Sequence, residues 1–453
     1  MDGRLKVAVV VPHIGRGGGA RTSATVIARA LSGEHNTTIL TLKRRRNSRA
    51  GTAKDLYNGR VESLGIARVK GRSLRARLTR LVRPFQVGRA VAEFCRREEI
   101  DVAVGVLTNT ALILSRLLYR NPARLVLSVR NNPEGYEFKR PAPVRPLYRL
   151  AFGALYRRAE AVVAITAHMQ HILETRYRIS RVRLIYNMYA GIGGSRAAGS
   201  SQGEDPGGPP VVGREPSHAL SNERADGERL WITVGRMSRQ KGHLHLVRAF
   251  ADLAAEVPSV RLAIVGSGLL EGEVRRLVEE LDLGDRVSLL GKRFDVPQLL
   301  QRAELFILCS LWEGLPLSLL EALEMRLPVV ATDCPTGPRE VLAPETAPFE
   351  PLEYPYFGTY GILTPHIGPY RSLEELSGTP LDAAERTLAE TLRRIAHEPE
   401  RTRERYAHGP RRTEDFAFET VGAQWRKLVA EIAGKVVAAD GRDANQAQKE
   451  IRR

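Results

Sequence analysis

The chain has 453 residues, 43% hydrophobic and 26% charged, which suits two domains of about 200 residues each and excludes wholesale disorder. Its 69 Lys and Arg against 51 Asp and Glu leave a formal net charge of +18. That charge draws in something anionic, whether nucleic acid, a negatively charged leaflet or a phosphorylated substrate, although a GC-rich genome also raises arginine without selection on binding. No apolar run reaches the roughly 18 residues of a spanning helix. Three scattered cysteines, Cys95, Cys309 and Cys334, form no C-x-x-C pair for zinc or redox chemistry and lead to the expectation of a reduced, cytoplasmic setting.

The first apolar run, residues 5–11, closes at Pro12 and reads as a buried strand, not a signal peptide. Gly15-Arg16-Gly17-Gly18-Gly19 makes a tight turn, and a helical pattern covers 22–31. Residues 68–97 carry Leu74, Leu78, Leu81 and Val82 among arginines and predict a helix or helix pair with an apolar stripe. Such a helix could lie on an anionic membrane leaflet or pack on its own sheet. Further strand-like runs at 37–42, 101–106, 124–129 and 161–165, spaced by helix-length segments, predict a parallel sheet.

Residues 190–228 are dense in Gly, Ser, Pro and charge, as in a flexible linker. The rhythm then restarts with strands at 230–234, 260–265, 287–290, 305–308 and 327–332 and helices at 243–253, 272–281, 296–301 and 318–324. A loop over 344–369 and amphipathic helices at 373–396 and 414–432 complete the pattern. The expected layout is α/β: an N-terminal Rossmann-like domain at 1–189, a linker at 190–228, and a second Rossmann-like domain at 229–412. A helix at 413–437 packs back toward the first domain, and 438–453 form a polar tail.

The strongest chemical signal is Val234-Gly235-Arg236-Met237-Ser238-Arg239-Gln240-Lys241-Gly242, between a strand and a helix. Two cations at the carboxyl end of a strand and beside a helix start suit a diphosphate, though a solvated basic turn would look alike. In Glu313-Gly314-Leu315-Pro316-Leu317-Ser318-Leu319-Leu320-Glu321, one carboxylate lies in a loop and the other on the next helix. Carboxylates accept two hydrogen bonds from vicinal hydroxyls, and free amides at the helix start can meet a sugar hydroxyl or phosphate. As an alternative, Glu321 is an exposed helix residue and Glu313 a charge favouring the helix dipole. The 15–19 glycine run reads either as a phosphate-facing loop or as a plain strand-to-helix turn, since no acidic residue ends the following strand.

These motifs, with Asp333-Cys334-Pro335-Thr336-Gly337-Pro338-Arg339-Glu340, resemble glycosyltransferase family 4, of the GT-B fold with two doubly wound domains facing a central cleft. The likeness is strong from 231 to 342 and thinner in the first half, where it rests on the glycine loop and Ile185-Tyr186-Asn187. The 334–340 stretch and Tyr360-Gly361-Ile362-Leu363-Thr364-Pro365 are similar to a bacterial branch building surface polysaccharides and lipid-linked oligosaccharides. The resemblance implies retaining transfer of a hexose or N-acetylhexosamine from a nucleotide diphosphate sugar, most commonly a UDP-sugar. No cofactor or metal is implied. The acceptor would be a saccharide or a lipid-linked saccharide, with a soluble small molecule or a protein as the alternative, and the chain would work in the cytoplasm or peripherally on the inner face of the membrane.

By the same resemblance Arg236 and Lys241 hold the diphosphate and neutralise the leaving group, and Glu313 lies by the donor hexose with the amides of Gly314 and Leu315 orienting its hydroxyls. Glu321 binds the ribose, Gly235 lets the backbone turn out of the sheet at the donor site, Gly266 with Lys292 and Arg293 borders the base, and Gly17 and Gly18 let the first domain close over the phosphates. The family often places a histidine after the strand at 124–129. This chain has Arg130, Asn131 and Asn132 there, so Arg130, Asn131, His13 and His168 are the acceptor-side candidates. Specific nucleic-acid binding is disfavoured by 6% aromatics and dispersed arginines, and a sugar-nucleotide epimerase by the lack of an acid–base constellation.

Overall fold

The computed structural model describes residues 4–12, 19–42, 57, 59–66, 74–107, 109–130, 132–138, 140–192, 227–369 and 373–434. The chain divides into two units, Met1–Ser201 with Phe416–Arg453, and Gln202–Asp415. Of the linker expected at 190–228, residues 193–226 lie outside the described residues, as do 435–453.

Unit 1 holds β1 (Lys6–Val11), β2 (Asn36–Thr41), β3 (Arg60–Ser63), β4 (Val102–Val106), β5 (Arg124–Val129), β6 (Ala161–Ala164) and β7 (Val182–Leu184). They form one parallel sheet in the order β3-β2-β1-β4-β5-β6-β7. Alternate β1 residues face opposite cores, as strand geometry requires. Val7, Val9 and Val11 pack with Ile27 and Trp425, whereas Ala8 and Val10 share a core with Phe94 and Met169. The sheet includes two strands that the apolar pattern does not announce: β3 is exposed or half-buried along its length and β7 has only three residues.

The basic segment forms the single helix Leu74–Arg97 with Pro84 inside it. Val87, Val91, Phe94 and Cys95 are buried in the unit 1 core, while Val82 and Phe85 are exposed. The helix Phe418–Ile432 belongs to unit 1 by contact. Its Val421, Trp425, Leu428 and Val429 are buried beside β1 and the helix Gly19–Ser32, and Tyr189 N–H donates to the Phe416 carbonyl at 2.7 Å. Residues 414–416 are a short 3₁₀ turn separate from that helix.

Unit 2 holds β8 (Arg229–Val234), β9 (Val260–Val265), β10 (Val287–Gly291), β11 (Leu305–Leu308), β12 (Val329–Thr332), β13 (Tyr356–Phe357) and β14 (Ile362–Thr364) in the order β10-β9-β8-β11-β12-β14-β13. All neighbours are parallel except β13 and β14. The order reverses between β8 and β11, and a doubly wound sheet binds ligands outside the carboxyl ends of its strands at such a switch point. Two expectations are corrected here. The 344–369 segment is no plain loop, because it supplies β13 and β14, with Ile362, Leu363 and Thr364 fully buried beside β12. Residues 373–396 form two helices, Leu373–Ser377 and Ala383–His397, the second started by an Asp382–Glu385 capping box that ends any continuous helix.

Candidate functional site

The ends of β8, β9 and β10 are tied together by backbone hydrogen bonds, from Gly235 N–H to the Val265 carbonyl at 2.9 Å and from Gly266 N–H to the Gly291 carbonyl at 2.8 Å. Gly266 has φ of 138°, and a Cβ there would fall 1.9 Å from the Gly235 carbonyl oxygen, so only glycine lets the two strand ends approach this closely. Arg236 follows at once and is exposed, with no partner among the described residues. A 3₁₀ turn over Arg239–Lys241 then leads into Gly242, left-handed at φ of 60° and packed on the Cys309 carbonyl, where a Cβ would stand 1.9 Å away. That contact brings Lys241 to the segment after β11, and Leu311 N–H donates to the Gln240 carbonyl at 2.8 Å.

Lys241 Nζ donates to Glu313 Oε1 at 2.7 Å. The same oxygen accepts from Ser310 Oγ at 2.7 Å, and Gln240 Nε2 reaches Glu313 Oε2 at 3.4 Å and the Trp312 carbonyl at 3.0 Å. The Glu313 side chain is only 7% exposed and Lys241 17%, so the pair is held in a poorly solvated place with most of its bonding capacity satisfied. The Glu313 carbonyl accepts from Thr336 Oγ1. Gly337, at φ of 92°, lies against the Gly314 carbonyl, with 2.4 Å left for a Cβ.

The Asp333 to Glu340 segment thus braces the loop carrying Glu313 and Gly314. Its own anchor is Asp333, which pairs with Arg339 and accepts from the Tyr354 hydroxyl at 2.5 Å. Ser310, Thr336 and Tyr354 were not singled out from the sequence. Ser310 stands three residues before Glu313 and Thr336 lies within a quoted motif, but only the fold turns their hydroxyls on the loop.

Glu321 sits on the helix Leu317–Glu324, partly buried. Burial, with the Glu324 charge adding and the Lys241 charge opposing, pushes its carboxyl up to about 7. Leu315 is buried and Gly314 partly buried. Lys292 and Arg293 follow β10 on the surface. The Lys292 ammonium lies 5.1 Å from the centre of the Phe294 ring, and Arg293 pairs with Asp295 at 2.6 Å. Among the described residues no group of three His, Cys, Asp or Glu is placed to hold a metal ion, and no helix is long and apolar enough to cross a membrane.

In unit 1, Arg130 follows β5 and is buried, with Nε donating to Ser128 Oγ at 3.0 Å and Nη1 to Asn187 Oδ1. His168 is partly buried on the helix Ala167–Thr175. His13, Gly17, Gly18 and Asn131 lie outside the described residues. Gly235, Arg236, Lys241, Glu313 and Gly314 therefore meet at the carboxyl edge of the unit 2 sheet, with Glu321 near enough to feel the Lys241 charge.

Two family models match the chain, Glycosyltransferase Family 4 over residues 17–189 and Glycosyl transferases group 1 over residues 218–349. An uncharacterised glycosyltransferase of Methanocaldococcus jannaschii is 30% identical over 319 residues, 68% of this chain and 72% of that protein. Over a shorter stretch, 24% of this chain and 29% of the relative, there is 36% identity with the N-acetylgalactosamine-N,N'-diacetylbacillosaminyl-diphospho-undecaprenol 4-alpha-N-acetylgalactosaminyltransferase of Campylobacter jejuni. The fold matches that of Anabaena HepE, solved in complex with UDP and glucose, with a TM-score of 0.63 at 17% identity over 94% of this chain and 100% of that one. Two Rossmann-like units, each matched by its own family model, and an archaeal relative alike over most of both chains make this protein a family 4 glycosyltransferase of the GT-B fold.

Proposed function

We propose that the chain transfers a hexose or N-acetylhexosamine from a UDP-sugar, with retention at the anomeric carbon, to a lipid-linked saccharide acceptor in surface-polysaccharide or lipid-linked oligosaccharide synthesis. The observation that carries the reading is the Lys241–Glu313 pair at the end of β8 beside the exposed Arg236. A buried carboxylate holds the ammonium in place, leaving its other two N–H groups to donate to a diphosphate, and Arg236, with no ion pair among the described residues, supplies a second cation. These two side chains can neutralise the charge that grows on the departing diphosphate, the task a bound metal performs elsewhere. The backbone at Gly314 and Leu315 would orient the hexose and Glu321 the ribose diol.

In the transfer itself the acceptor oxygen bonds to the anomeric carbon as the carbon–phosphate oxygen bond breaks. The acceptor proton passes to the leaving phosphate oxygen on the same face, with no protein nucleophile required. A glycosyl-enzyme trapped and seen by intact mass spectrometry would refute that step. UDP as the leaving group is supported by HepE, a protein of the same fold that was solved with UDP. The lipid-linked acceptor is supported by the name of the Campylobacter relative.

The donor is tested by calorimetry of UDP, GDP and ADP in EDTA. UDP is expected to bind, and to be lost in the Arg236→Ala, Lys241→Ala double variant. Binding that needs added Mg²⁺, or that survives the double substitution, would overturn the proposed donor site.

A further inference from the structure

Unit 1 contains a cavity of about 450 Å³ between the helices Asn109–Tyr119 and Arg145–Tyr156, at the carboxyl ends of β4 and β5. Its walls are apolar, formed by Ile113, Phe152 and Leu155 among others. They are rigid on one side, where Phe152 stacks on Tyr156 with ring centres 4.0 Å apart and leans on Tyr177 at 4.8 Å. Arg130, itself buried, also lines the cavity.

That guanidinium is an anomaly of charge. It is 8% exposed, and its hydrogen bonds go to the neutral oxygens of Ser128 and Asn187, with no carboxylate paired to it among the described residues. Burial alone acts on it and pushes its ionisation down to about 10. A buried cation without a counter-ion is costly. The buried carboxylate of Glu137 is committed elsewhere, bonded to Arg149, Arg176 and the Tyr177 hydroxyl.

Two more features lie on the same cavity. Leu107, which lines it, is held left-handed at φ of 62° and is 43% exposed, a strained conformation for a branched side chain. Leu155 lines the cavity and is also 39% exposed, and the same helix presents Leu147 and Leu150 to solvent at 68% and 63%. Exposed leucines thus continue along the helix from the one that lines the cavity, and Arg145 and Arg149 lie on the same helix.

We infer that this cavity binds the head of a phosphorylated lipid, with the phosphate or diphosphate against Arg130, the first stretch of hydrocarbon against Ile113, Phe152 and Leu155, and the rest along Leu147 and Leu150. The inference rests on the proposed transfer to a lipid-linked acceptor and assigns that acceptor's class and seat to unit 1.

The test is calorimetry on the full chain, with saturating UDP to fill the unit 2 cations, titrating farnesyl diphosphate, inorganic diphosphate and farnesol as probes. Farnesyl diphosphate is expected to bind at least about tenfold more tightly than either fragment, and Arg130→Met and Leu155→Asp each to weaken it about tenfold. Leu155 is half-exposed, so its substitution leaves a readable variant even where Arg130→Met fails to fold. Inorganic diphosphate binding as tightly as farnesyl diphosphate would mean a free-phosphate site, and farnesol binding as tightly a plain apolar pocket; either overturns the inference. So does farnesyl diphosphate affinity unchanged in a folded variant. Failure of UDP to bind in the first titration would count against the donor reading alone, because Arg130 and Leu155 still report on the cavity.

Discussion

Glu321→Gln separates stability from binding at one position. The native carboxyl ionises near 7 and its ordinary value is 4.5, so between those values the folded chain holds a proton that the unfolded chain has released. Stability therefore falls as pH rises from 4.5 through 7, and the full loss is present above 7. A separation of about 2.5 pH units at about 1.4 kcal/mol each amounts to about 3 kcal/mol at pH 8, against about 1 kcal/mol at pH 5. Glutamine fills the same volume with no charge and escapes that loss. For a domain of about 200 residues, 1 kcal/mol moves the melting temperature by about 2–4 °C. Scanning calorimetry should show the melting advantage of Glu321→Gln over wild type widening by about 4–8 °C between pH 5 and pH 8. At pH 8 the same variant should bind UDP more weakly, because an amide offers the ribose diol one acceptor oxygen where a carboxylate offers two. A melting difference that stays constant or shrinks with rising pH would refute the account of Glu321 as a carboxylate held out of water.

Lys241→Met should cost about 3 kcal/mol by stranding the buried Glu313 carboxylate, and adding Glu313→Gln should recover most of that stability without restoring UDP binding, as read by urea unfolding and calorimetry. Gly337→Ala, whose Cβ would meet the Gly314 carbonyl at 2.4 Å, should lower donor affinity and cost about 1–3 kcal/mol, whereas Gly272→Ala, with nothing within 4 Å, should leave donor affinity unchanged. Trp425→Ala removes a fully buried ring from the C-terminal helix and should destabilise unit 1 by about 3–5 kcal/mol with UDP affinity at unit 2 retained, as judged by hydrogen exchange of β1 and β8.

Much of the fold was legible in the residues because a parallel sheet covered on both faces writes each strand as a short unbroken apolar run. The runs at 124–129, 260–265 and 305–308 coincide with β5, β9 and β11. Where that signal fails, so does the reading. β3 is too solvated and β7 too short to stand out, and β14 lies among Pro and Gly that mark a loop although the sheet buries it completely. The motif residues Gly235, Arg236 and Lys241 were legible for a related reason. A glycine after an apolar run and before a helix marks a strand end, and strand ends are where such sheets bind ligands.

Local pattern therefore determined which segments become strands and helices, that two α/β units follow one another, and which cations stand at the end of β8. Only the tertiary structure decided that Lys241 meets Glu313 across 72 positions of chain, that Thr336 and Gly337 brace the loop carrying Glu313, that the helix Phe418–Ile432 belongs to unit 1, and that Arg130 is buried with no carboxylate paired to it among the described residues. Periodicity and turn chemistry act over a few residues and leave their mark in the sequence. Strand order, burial and the pairing of charges depend on which distant segments share a core, and no neighbouring residue records that choice.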